Sequence, residues 1–296
     1  MSKSKRATAY TSEMKFKNHL ESIKVTMMDY PTMERLASYI PEFVSMTWME
    51  EIDQIDMVLE DKEMTREDIV MEMFNWRTLP TALETVRLTM FCEGLDLTNV
   101  THLIRHRLFS YSAQSTDPAT MEGHDILEND AFLEHPDLLE RSRKLCKESN
   151  ELYKDALDRG LSFYDARHYQ PRAKEAKYFV SGNIKDFIML IRTRLGRTNQ
   201  PTSDNILAMR MRQAILKVYP FLRNQLNIES PQMHYINAIN EKFNLNTYPP
   251  DALHRKVLEE KGIDWSNAKF NHDKARDEYS TNDKFEALVE KIDNES

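Results

Sequence analysis

Glu84–Cys92 reads ETVRLTMFC, and Glu93–Arg107 continues it as EGLDLTNVTHLIRHR. The first part is rich in Thr, Val, Leu and Phe, the composition of a half-buried strand, and Gly94 closes it. Asp96 then stands as a helix N-cap, with Val100, Leu103, Ile104 and Arg107 at i, i+3, i+4 and i+7 on one face. A strand feeding a helix that ends on Arg105-His106-Arg107 is the unit around which the remaining segments arrange themselves.

Two further strands are predicted, at Lys24–Asp29 (KVTMMD) and Ala176–Ser181 (AKYFVS). The rest is mostly helical. Met33–Met46 is a helix broken or kinked at Pro41, and Asp53–Trp76 carries Ile69, Met73 and Trp76 at helical spacing. Leu138–Leu157 is charged and amphipathic. Ser162 opens a short helix, with Asp165 completing a capping-box analogue and Pro171 ending it. Asn183 caps a helix striped by Ile184, Phe187, Ile188 and Ile191, and Asn205–Tyr219 is the last clear helix. Tyr111–Pro118 reads as a polar loop. The expected fold is therefore α+β and helix-rich, with a small central sheet flanked by helices. Residues 1–20 form a polar N-terminal segment, 21–228 the folded domain, and 229–296 a polar, partly helical C-terminal extension.

Composition narrows the function classes. The 296-residue chain is 41% hydrophobic, enough for one sizeable core, and its 6 glycines favour helices. A formal net charge of -8 argues against general nucleic-acid binding, though a local basic pocket for a small phosphorylated ligand remains open. Cys92 and Cys146 provide neither a disulfide framework nor zinc spacing, so no metal site and a reducing compartment are expected. No apolar run approaches membrane-spanning length, mean hydropathy is -0.63, and no signal core follows Met1–Arg6. The expectation is a cytoplasmic protein with no membrane partner.

Basic residues recur in separated segments: Arg105-His106-Arg107, Arg167 before Pro171, and Lys185, Arg192, Arg194 and Arg197 around the apolar helix. Arginine's rigid fork of donors suits phosphate and carbonyl oxygens, so convergence of these segments would build an anion pocket. Each has a plainer explanation. Arg and His at a helix C-terminus are favoured by the dipole alone, Asn183 is an ordinary cap, Ser115 an ordinary loop serine, and Thr81 and Glu84 open a strand.

The combination is more specific than its parts. Arg105-His106-Arg107, seven residues, then Ser115 resembles the signature of flavin-dependent thymidylate synthases. Glu84-Thr85-Val86, Glu93-Gly94 and Thr101-His102 resemble that family's approach to the motif. Asp165-Ala166-Arg167 with Pro171, Asn183 and Arg194 follow at the family's spacing without a gap. The resemblance covers roughly Leu79–Gln200. It implies methylene transfer from methylenetetrahydrofolate to carbon 5 of a pyrimidine deoxynucleotide monophosphate, by default dUMP, with FAD as cofactor and NADPH as reductant. Thr81, Glu84, Arg105, His106, Arg107, Leu108, Asn183 and Lys185 would hold the flavin. His102, Arg105, Gln114, Ser115, Asp117, Arg167 and Arg194 would surround the nucleotide. Arg194 would take the catalytic role of favouring ionisation at N3 of the base. The family's homotetramer, with sites at subunit interfaces, is implied as well. No protein thiol is needed.

Several positions depart from the family pattern. Ala113 stands for Glu or Gln, Asp117 for a phosphate-binding arginine, Leu79 for histidine, Lys185 for arginine and Met189 for asparagine. Asp117 would repel a nucleotide phosphate, which leaves open a hydroxymethylase acting on dUMP or dCMP, or a non-catalytic relative serving as a binding or assembly module.

Overall fold

A computed structural model describes residues 14–46, 51–114, 125–195, 202–223 and 225–226. In chain order these hold β1 (Phe16–Asn18), α1 (His19–Ser22), β2 (Lys24–Asp29), α2 (Met33–Ala37), α3 (Ile40–Ser45), α4 (Ile55–Asp61) and α5 (Arg66–Phe74). There follow β3 (Arg87–Leu95), α6 (Leu97–Leu103), β4 (Ser110–Ala113), β5 (Ile126–Glu128), α7 (Pro136–Asp158), α8 (Phe163–Ala166), β6 (Ala176–Asn183), α9 (Ile184–Leu195) and α10 (Thr202–Val218). The fold is α+β and helix-rich, as the sequence indicates.

The central sheet is antiparallel, in the order β2-β3-β6-β4. Its core face follows from strand alternation: Leu88, Met90 and Cys92 of β3 and Val180 of β6 are fully buried. Against that face lie α9, through Ile184, Phe187, Ile188 and Ile191, and α10, through Ile206, Met209 and Ile215, in one continuous cluster. The apolar stripe foreseen on the helix after Asn183 is this packing surface. β1 and β5 form a separate parallel pair, with Phe16 opposite Ile126. β1 lies within residues 1–20, read as a polar N-terminal segment, and α1 runs across the boundary of that segment with the folded domain.

Gly94 does more than close a strand. It lies inside β3 with φ +70°, where the pairing to β6 shifts register between Cys92 and Leu95. A Cβ there would stand 2.1 Å from the Ser22 carbonyl oxygen, so only glycine fits the bulge.

The structure corrects three boundaries. Glu84 and Thr85 belong to a short 3₁₀ turn, Pro80–Thr85, and the strand begins at Arg87. The helix capped by Asp96 ends at Leu103, so Arg105-His106-Arg107 occupies a turn and not a helix end. The start of the stretch read as a loop, Tyr111–Ala113, belongs with Ser110 to the edge strand β4. The last two corrections share one cause. The Tyr111 hydroxyl donates to the carbonyl oxygens of Leu103 at 2.6 Å and His106 at 2.8 Å, tying the freed helix end to the new strand. Phe109 anchors the same turn by packing on Phe187 with ring centroids 4.7 Å apart. It lies against Gly182, where an added Cβ would fall 2.3 Å from the Phe109 ring.

Candidate active site

Helix α6 is started by reciprocal capping between Asp96 and Asn99, and Asp96 is held in turn by buried His19 at 2.9 Å. That pairing fixes the helix direction and aims its last turn at α9. There Arg194, near the end of α9, reaches across. One guanidinium nitrogen, Nη2, donates to the His102 carbonyl oxygen at 2.9 Å and lies 3.2 Å from His106 Nε2. The other, Nη1, meets Asp204 Oδ2 of α10 at 3.2 Å. Asn205, the next residue on α10, donates from Nδ2 to the Arg194 carbonyl oxygen at 2.7 Å and so holds the end of α9 from below.

Asp204 is the hub. Its side chain is 3% exposed and takes donors from three directions: Arg194, His102 Nδ1 at 2.7 Å, and Asn99 Nδ2 at 2.8 Å. A buried carboxylate is tolerated only when its lone pairs are filled in this way. Leu103, Leu190 and Leu207 complete a recess around Asn99, His102, Arg194 and Asp204. Of the sequence candidates, His102, His106 and Arg194 are thus brought together. Asp204, Asn99 and Asn205 were missed, since an acidic residue in a helix's first turn and an N3 asparagine read as ordinary capping features.

The other candidates form different neighbourhoods. Arg105, Arg107 and Leu108 are exposed in the turn, Leu108 at 73%. Among the described residues, Arg105 and Arg107 have no hydrogen-bonding or ionic partner. The turn enters the sheet at Ser110, opposite Ser181, next to the end of β6 from which α9 departs. At that end Asn183 caps α9 as expected, accepting from the Asp186 amide at 2.8 Å. Lys185 pairs with Glu84 at 2.6 Å, and Thr81 is exposed on the adjacent turn. Burial raises the Asp186 carboxyl, countered by its hydrogen bond from Asn183.

Arg167 belongs elsewhere. It follows α8, packed against α7, with its guanidinium 5.5 Å and 5.2 Å from the Phe163 and Tyr164 ring centroids. Gln114 is exposed, its amide donating to the Lys177 carbonyl oxygen at 2.8 Å. Ser115 and Asp117 lie outside the described residues, as do Arg197 and the C-terminal extension. Cys92 is buried in β3, and burial pushes its thiol up to about 12, so it is no nucleophile. Burial also raises the Cys146 thiol. Among the described residues no cluster of His, Cys, Asp and Glu has the make-up of a metal site, and no helix is long and apolar enough to cross a membrane.

Comparison with known proteins places this geometry in context. Residues 26–221 match the family model for thymidylate synthase complementing protein. The flavin-dependent thymidylate synthase of Thermococcus onnurineus is 31% identical over 108 residues, 35% of this chain and 44% of that protein. The enzyme of the same name from Pyrococcus furiosus is 29% identical over 108 residues, again 44% of its length. The aligned stretch therefore spans less than half of these curated relatives. Among solved structures, a UMP/dUMP methylase PolB from Streptomyces cacaoi bound with 5-Br dUMP superposes with a TM-score of 0.56 at 16% identity. It covers 74% of this chain and 100% of that one, a likeness of fold.

Proposed function

The chain belongs to the thymidylate synthase complementing protein family, and from that premise we propose that it is a flavin-dependent enzyme moving a one-carbon unit from methylenetetrahydrofolate to carbon 5 of a pyrimidine deoxynucleotide, by default dUMP to dTMP. The observation that carries this reading is the convergence of Arg194 on His102 and His106. It joins the Arg-His-Arg turn to the arginine late in α9, the two parts of the chain that the resemblance assigns to one site. A guanidinium fixed by three partners loses little further freedom when a base arrives. Held beside the ring, it stabilises negative charge developing there and makes carbon 5 a better nucleophile.

The residues present fit a flavin in part. Arg105 and Arg107 offer two guanidinium groups without a partner among the described residues, beside exposed Leu108, a combination suited to a dianionic diphosphate next to an apolar ring. Asn183 and Lys185 are engaged within the chain, but the Lys185–Glu84 pair is solvent-exposed on both sides and cheap to open. We assign flavin contacts to Thr81, Glu84, Arg105, His106, Arg107, Leu108, Asn183 and Lys185. Nucleotide contacts are assigned to His102, Arg105, Gln114, Ser115, Asp117, Arg167 and Arg194. Reduced FAD would supply the hydride, with NADPH as its reductant. A homotetramer would supply the second face of an exposed flavin site, and Arg167 would reach the nucleotide of another subunit's site. The thiols take no part.

The test is to incubate purified protein with FAD, NADPH, methylenetetrahydrofolate and either dUMP or dCMP, and to weigh the nucleotide by mass spectrometry. The expected product is dUMP plus a methyl group. A hydroxymethylated product, or reaction of dCMP alone, corrects the chemistry. A folded protein that binds neither FAD nor nucleotide refutes the reading.

A further inference from the structure

Asp204 sits between two groups whose hydrogen-bonding roles it dictates. An ionised carboxylate only accepts, so His102 Nδ1, 2.7 Å from Asp204 Oδ2, carries the proton. In the neutral ring, Nε2 is then left with a lone pair and no hydrogen. Among the described residues Nε2 has no partner, while the ring as a whole is part-exposed, its side chain at 26%. The imidazole thus turns a committed nitrogen inward and a hydrogen-bond acceptor outward.

Arg194 stands beside it. Its guanidinium only donates, which fixes His106 Nε2, 3.2 Å away, as an acceptor. The carboxylate of Asp204 at 3.2 Å balances the arginine's charge. The groups around His102 are therefore Asp204, Arg194 and Asn99, with Leu103, Leu190 and Leu207 filling the rest. A locally neutralised arginine is poorly suited to capture a phosphate. An N–H donor beside a lone-pair acceptor is well suited to a neutral edge that carries a carbonyl next to an N–H.

We infer that Asp204 is a positioning residue that locks His102 in the Nδ1–H form, so that Arg194 and His102 Nε2 together read the carbonyl and N3–H edge of a uracil-type base. This deepens the proposed function and rests on it. Cytosine lacks the N3 proton. Its N3 lone pair would face the lone pair of Nε2, and the site would reject it. The specificity then comes from an acidic residue on α10 that contacts the base only through His102 and Arg194.

The experiment has two readouts on the full-length protein. First, nitrogen-15 NMR of histidine-labelled protein reports the His102 tautomer without any nucleotide. Nδ1–H is expected in the wild type and loss of that preference in Asp204→Leu. Second, calorimetry compares dUMP with dCMP. A single hydrogen bond to a charged or fixed partner sets the expected preference for dUMP at about tenfold or more, narrowing to within about threefold in Asp204→Leu. If Asp204→Leu does not fold, Asp204→Asn keeps the volume and one acceptor, and an intermediate ratio is expected. A wild-type His102 that is not Nδ1–H, or a dUMP preference unchanged in the variants, overturns the inference. A locked tautomer with no binding of either nucleotide refutes the proposed function instead.

Discussion

Arg194 and the pair Arg105 and Arg107 are the same residue type, the pair on either side of His106, which Arg194 approaches to 3.2 Å, yet they live under opposite conditions. Arg194 has a side chain 14% exposed and is bound to Asp204, the His102 carbonyl and His106. Arg105 and Arg107 are exposed, with no partner among the described residues. The first is organised before any ligand arrives, and its surroundings depend on it. The side chains of the second pair add no hydrogen bond among the described residues. Positioned charge suits chemistry, where reorganisation is costly, and uncommitted charge suits capture of an anion. The difference predicts which variants harm turnover, which harm stability and which harm affinity alone.

The largest effect is expected at Arg194. Arg194→Ala removes the positioned cation, and turnover of the nucleotide should fall by about 10²–10³. It also leaves Asp204 buried at 3% exposure with one donor fewer, so the melting temperature should fall as well. Flavin binding should survive, since the uncommitted arginines are untouched. Near-normal turnover would reduce Arg194 to a decoration of the end of α9, where a cation matters by a few tenths of a kcal/mol.

How much of this was legible in the sequence depends on how far apart the partners lie. Asn183 as a cap, Asp96 as a cap and the α9 stripe rest on contacts within one turn, and each was readable. The end of α6 was not, because it is set by the Tyr111 hydroxyl returning from β4 to the Leu103 and His106 carbonyls. β4 itself is four residues of edge strand, SYSA, whose exposed serines carry the pattern of a loop. Asp204 was invisible for a different reason. Its partners Asn99 and His102 lie over a hundred positions away, and nothing local marks it as other than a first-turn acid. The motif named the arginines, and only the fold named the carboxylate that holds one of them.

Lys174 sharpens the contrast, as a buried cation with no carboxylate partner among the described residues. Its ammonium donates to Gln170 Oε1 at 2.8 Å and sits 5.8 Å from the Tyr153 ring centroid. Burial pulls it down to about 7. Between that value and the ordinary lysine range the unfolded chain binds a proton that the native state does not. Native stability should therefore rise with pH across this window and be lost as pH falls toward 7. Lys174→Met removes the penalty, and thermal melts should show it stabilised near neutral pH by on the order of a few kcal/mol, with a flatter pH dependence. A variant no more stable than wild type would mean that Gln170 and Tyr153 compensate the charge fully.

Arg105 and Arg107 should behave in the reverse sense. Alanine at either position should leave the melting temperature within the range of ordinary surface changes, about ±0.5 kcal/mol. Affinity for FAD should nonetheless fall by roughly tenfold or more, the worth of one charge-assisted bond. A large loss of stability without a loss of flavin affinity would break the comparison, by showing that these arginines are structural after all.

The smallest effect belongs to Glu84 and Lys185. Their side chains are 49% and 32% exposed and their separation is 2.6 Å. Water and salt screen such a pair, and ordering two long side chains offsets part of the attraction, so it contributes about 0.2–1 kcal/mol. The pair nevertheless bridges the turn before β3 to the first turn of α9, the end of the sheet where Asn183 caps the helix. Glu84→Gln should therefore barely move the melting temperature and should release Lys185. If Lys185 serves the flavin, its release makes it available to an anion, and FAD affinity should rise slightly or hold. If the pair instead holds the turn in place for Thr81, affinity should fall with no change in stability. Titration of FAD into Glu84→Gln and Lys185→Ala at low and high salt separates the two, because only a free lysine acting on the ligand gives Glu84→Gln the steeper salt dependence. The same slope in both variants would remove this end of α9 from the flavin site and leave the Arg105 and Arg107 turn to hold the anion alone.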